Sequence, residues 1–115
     1  MNTTDVTTVT ATIFCGLQEG YAGHTHQSRE VNELCQDFCT SVGLCATVTP
    51  TTFCYAGGTE PGVIVGLINY PRFPSPASKI YANAKELALL LKDHFHQNRV
   101  SLVCGESTIM LGEPE

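Results

Sequence analysis

Four histidines, six cysteines and a handful of carboxylates are the side chains here that could do chemistry. His24 and His26 form a His-x-His pair in the glycine-bearing stretch 17–27, which also holds Glu19. In extended backbone such a pair can chelate a divalent metal, with Glu19 or Glu60 as oxygen donor. The same residues could hold a small anion, because a helix beginning at Ser28 would turn its positive end towards them. His94 and His96 fall on a helix, where the 3.6-residue period sets their rings roughly 200° apart, so at most one, taken as His94, can join. The expected binding set is Glu19, His24, His26, Ser28 and Glu60, and the expected metal ligands are His24, His26 and His94. The plainer reading is solvated polar groups at a loop and a helix end. No catalytic residue is assigned, and the cofactor suggested is a divalent metal.

The cysteines read as thiols rather than as a disulfide framework, since no export signal is visible at the start of the sequence. Cys15 continues the alternation of Val9, Ala11 and Ile13, Cys104 that of Val100 and Leu102, and Cys35 shares a helical face with Val31, Leu34 and Phe38. Each is expected to be a small buried hydrophobe. Cys35 and Cys39, at i and i+4, could form half of a thiolate site, but no second pair at ligand spacing accompanies them. Cys45 and Cys54 have no adjacent basic residue, so a catalytic thiol would need tertiary neighbours. No phosphate loop, nucleophile elbow or His-Glu-x-x-His occurs.

The elements that must position these groups centre on a hairpin, residues 44–70, whose β-branched and aromatic arms flank Gly57 and Gly58. Pro50 places its first arm at an edge or a bulge, and the apolar run 63–68 reads as the sheet centre. A first strand covers residues 9–16. Helical periodicity follows at Val31, Leu34, Cys35, Phe38 and Val42, with Ser28 as N-cap and Gly43 as terminator. A second helix starts at Ser78 and closes near Asn98, and residues 99–104 form a last strand, with 108–111 a short extension. The order β-α-β-β-α-β predicts an α+β, ferredoxin-like fold: a four-stranded antiparallel sheet of order 4-1-3-2 under two helices. It is one domain, 1–115, with 1–8 and 112–115 as frayed tails. That topology brings the loop 17–27, the hairpin tip 56–60 and the turn after the second helix to one end, and all four histidines with them.

Charged residues make up 15% of the chain against a usual ~25%, which favours a homo-oligomer, a trimer over a dimer, that hides apolar surface. With a net charge of -5 and six scattered Lys and Arg, neither nucleic acid nor a membrane is expected as partner, and a cytoplasmic protein is expected.

Leu44-Cys45-Ala46-Thr47-Val48, Pro50 and Thr51-Thr52-Phe53-Cys54-Tyr55 leading to Gly58 resemble the hairpin of the CutA family, trimers related in fold to the PII signalling proteins. The chain lacks the tryptophan that family carries near this glycine. The resemblance implies a trimer with ligand or metal contacts near subunit boundaries. The function expected from all this is a non-enzymatic, oligomeric binding or regulatory module for a small anion or metal. The alternatives are a small enzyme with a histidine general base at a subunit interface, or a structural assembly component, for instance of a virion.

Overall fold

The computed structural model describes residues 1–20 and 23–112. The chain runs β1 (Thr10–Gly16), α1 (Ser28–Val42), β2 (Thr47–Tyr55), β3 (Gly58–Ile68), α2 (Ala77–His94), β4 (Arg99–Cys104) and β5 (Ser107–Gly112). All pairings are antiparallel, in the order β2-β3-β1-β4-β5.

The expected four-stranded ferredoxin-like sheet of order 4-1-3-2 is therefore corrected to a five-stranded one. The cause is local. Gly105, at φ 58, lets the chain reverse directly after β4, and Ser107 to Gly112 then pairs along an edge of β4 that would otherwise be bare. Two further expectations shift. The sheet centre is β1 rather than the run 63–68, which lies in β3, one strand away. Of the two hairpin glycines only Gly57 has positive φ, 95°; the turn residues are Ala56 and Gly57, and Gly58 already pairs with Tyr55. Pro50 sits on β2, an edge strand, opposite Val63, where its missing N–H costs no ladder bond on the free side.

One face of the sheet carries the core. Ala11, Ile13 and Cys15 of β1, Val63, Val65 and Leu67 of β3, and Val100 and Leu102 of β4 are buried there under the apolar stripes of α1 and α2. Phe95, fully buried just past α2, is among the largest of these side chains, and its burial contributes about 2–3 kcal/mol. The opposite face carries the alternate residues, among them Thr12, Phe14, Ile64, Gly66 and Val103, all only partly buried. Residues 1–8 have no regular structure, although Asn69 donates its side-chain amide to the Thr7 carbonyl at 2.9 Å. The expected tail residues 113–115 lie outside the described residues. Among the described residues no helix is long and apolar enough to cross a membrane.

Candidate functional site

Two arrays of polar groups form where the loop 17–27, the β2–β3 hairpin and the turn after α2 meet. The first is built on His26. The loop folds back on itself through a bridge between Gln18 and Thr25 and is tied to β3 by the Leu17 N–H, which donates to the Pro61 carbonyl at 3.0 Å. His26 thereby lies between two carboxylates: Nε2 is 2.6 Å from Glu19 Oε2, and Nδ1 is 3.5 Å from Glu30 Oε1. Its side chain is 12% exposed and rests edge-on against Phe95, ring centroids 5.0 Å apart.

Glu30 has a second task. The N-cap of α1 is Gln27, not Ser28, which is the first helical residue, and the Gln27 N–H donates to Glu30 Oε2 at 2.6 Å. This bond, followed by the contact with His26, holds the Glu30 carboxyl below the ordinary carboxylate range. Sequence spacing contained this pair, since His26 and Glu30 stand at i and i+4 across the helix start. His24 is exposed and packs edge-on to His26 at 4.7 Å.

The metal expectation meets this geometry directly. Both ring nitrogens of His26 face carboxylate oxygens, and His94 instead lines a groove of about 540 Å³ between α1 and α2, with Glu33, Asp37, Glu86 and Leu90. Among the described residues no group of three or more His, Cys, Asp or Glu side chains is arranged to hold a metal ion. His96 departs from the helix that periodicity assigned to it: α2 ends at His94, and His96 has φ 53, the left-handed conformation in which the chain leaves the helix.

Glu60 belongs to the second array, a cleft of about 320 Å³ at the same end. Its walls are Gln18, Gly20, Tyr55, Glu60, His96, Gln97, Asn98 and Arg99. The volume falls at the lower end of the ~300–1,000 Å³ range of small-molecule sites. Two glycines beside the cleft give neighbouring side chains room to pack. Gly16 and Gly62 pair across β1 and β3; the Phe53 ring occupies the place a Cβ on Gly62 would need, while above Gly16 stand Gln97 Oε1 and Glu60 Oε2. Gln97 is anchored by its own amide, which donates to the Gln18 carbonyl at 3.1 Å and the Phe95 carbonyl at 3.0 Å. Sequence reasoning did not single out Gln97, Gln18, Tyr55 or Arg99 as site residues. Their signal was topological: Gln18 and Gln97 lie in segments assigned to this end, and Tyr55 and Arg99 each border one.

Thiol chemistry is disfavoured in the interior. Burial pushes the Cys15 thiol up to about 12 and that of Cys35 up to about 11, and raises Cys39 and Cys104 as well. Cys45 and Cys54 are exposed.

No family model and no curated protein matches the sequence. The fold does match solved structures. It is similar to a phage SAM lyase in complex with S-methyl-5'-thioadenosine, with a TM-score of 0.74 and 16% identity over 98% of this chain and 95% of that one. A phage SAM lyase in the apo state matches with a TM-score of 0.70 and 17% identity over 93% and 90% of the two chains. These neighbours are enzymes. The expectation of a non-enzymatic binding or regulatory module is corrected by this finding. The CutA-like and PII-like description goes with it, because the five-stranded sheet departs from the arrangement it implied.

Proposed function

We propose that this chain is an enzyme that cleaves S-adenosylmethionine without a second substrate and releases S-methyl-5'-thioadenosine. The observation that carries this reading is the likeness, over nearly the whole chain, to a lyase holding that thioether. The Glu60 cleft supports it chemically. S-adenosylmethionine is a sulfonium cation with an aromatic base, and the cleft offers a carboxylate, an aromatic ring at Tyr55 and several amide groups.

The bond broken joins the sulfonium sulfur to the amino-acid chain. Its electron pair stays on sulfur, which becomes the neutral thioether. The four-carbon fragment is completed either by attack of its own carboxylate on the carbon released or by loss of a neighbouring proton to a base, and neither route consumes water. A partly enclosed cleft aids both by holding the flexible substrate in one conformation. Incubating the purified chain with S-adenosylmethionine and separating the products by reversed-phase chromatography tests the reading. Formation of S-methyl-5'-thioadenosine well above the spontaneous rate is expected, and identification of the second product distinguishes the routes. Decay of S-adenosylmethionine no faster than in buffer would overturn it.

A further inference from the structure

We infer that the groove between α1 and α2 docks a basic amphipathic helix of a partner protein. This groove, of about 540 Å³, is distinct from the Glu60 cleft and shares no lining residue with it. Its apolar lining includes Leu34 and Val42 of α1, both packed against the core, and Leu90 of α2, which is 43% exposed although Leu87 and Leu91 beside it are fully buried. Its acidic lining includes Glu33 and Asp37 of α1 and Glu86 of α2, all exposed. Glu30 lines it too but is engaged with Gln27 and His26. Among the described residues the basic side chain in the lining is His94, and no lysine or arginine joins it.

Apolar lining and charge together select the occupant. Glu33 and Asp37 stand at i and i+4 on α1, where like charges repel along a helix, and a cationic segment laid beside them relieves that repulsion. Nucleic acid and anionic lipid carry the wrong sign. A second copy of this chain brings a net charge of -5, and the fold already offers self-association a different surface, the sheet face that the helices leave uncovered. From Glu30 to Val42 the α1 wall runs about 18 Å, three turns of a docked helix. That length presents apolar anchors at i, i+4 and i+7 to the groove and lysine or arginine to its carboxylates.

The probe is a synthetic helical peptide of about 14 residues, with leucine at every third or fourth position and lysine or arginine between, carrying a fluorophore. One control peptide has glutamate for each basic residue; the other keeps the composition but scatters the leucines round the helix. Fluorescence anisotropy with the full chain at low salt should find the probe bound roughly tenfold or more tightly than either control, the sum of a few exposed ion pairs and apolar anchors. Glu33→Lys with Asp37→Lys should weaken it by a similar factor, and Leu90→Ser severalfold. Asp5→Lys with Glu106→Lys makes the same change of net charge outside the groove and should leave binding within about twofold. Circular dichroism checks that every variant keeps the fold. Equal binding of the scattered peptide, or an equal loss in the two double variants, would overturn the inference by showing attraction to charge alone. A lower sedimenting mass of the free Glu33→Lys, Asp37→Lys chain would overturn it by showing that a further copy fills the groove. Turnover of S-adenosylmethionine should be unchanged in these variants, so the lyase reading is decided separately.

Discussion

Glu30 shows how one side chain can serve both local structure and a site. One oxygen accepts the N–H that starts α1, and the other faces His26, so the carboxylate locks the end of the loop to the beginning of the helix. Its folded-state pKa is depressed below the ordinary value of 4.5, so it binds its proton less readily when folded than when unfolded. The stability it adds is therefore complete above that value and is lost as pH falls through the lower folded one. The expected result is that Glu30→Gln is less stable than the wild type at about pH 6, with the difference closing as the solution is acidified below about pH 4. Urea denaturation at a series of pH values reads this out; a difference independent of pH would mean the contact with Gln27 is neutral in character.

The residue scale also shows where sequence reading stops. His26 and Glu19 were recognisable because their types are chemically loud and share one short loop. Gln97 was not, because an amide after a helix has no periodicity and no motif, and its place depends on two carbonyls from different segments. Glu60 was grouped with the histidines by the shared end of the fold, and the structure sets it in a cleft with His96, while His26 stands between Glu19 and Glu30.

Among the elements, the two helices and the β2–β3 hairpin were legible because each repeats its pattern over several turns or pairs. Val31, Cys35 and Phe38 mark α1, and Ile80, Ala84, Leu87 and Leu91 mark α2, by burial as by spacing. The fifth strand was not legible as a full strand. Its alternation runs over Thr108, Ile109, Met110 and Leu111 with mostly exposed side chains, so hydrophobicity hardly distinguishes its two faces. What makes it a strand is the glycine turn before it. Gly105→Ala meets two obstacles, a positive φ and the Tyr81 hydroxyl 2.7 Å from the new Cβ. It should cost about 1–2 kcal/mol in chemical denaturation, and an unchanged midpoint would show that β5 pairs without help from its turn.

At the scale of the molecule, the helices protect one face of the sheet and leave the other with Phe14, Ile64 and Val103 only partly buried. Glu60 and Arg99 lie at its loop end, and its middle is apolar, threonine and glycine. In a chain this poor in charge, such a face favours packing against further copies, which would set the Glu60 cleft at a subunit boundary. Sedimentation equilibrium is expected to give an oligomer, three chains being the leading number, and Ile64→Glu in the middle of the face is expected to return it to single chains. A wild-type chain that sediments singly at micromolar concentration would leave the sheet face open to solvent.

The central place of β1 carries a consequence for the making of the protein. Hairpins β2–β3 and β4–β5 join neighbours in sequence, but β1 gains its partners only from β3 and β4, the second ending at Cys104. During synthesis Ala11, Ile13 and Cys15 thus wait unpaired until β3, complete only at Ile68, has followed, and keep one edge bare until β4 has. The strand that ends as the spine of the sheet is, while nascent, an apolar and aggregation-prone segment, a client for whatever chaperone meets it.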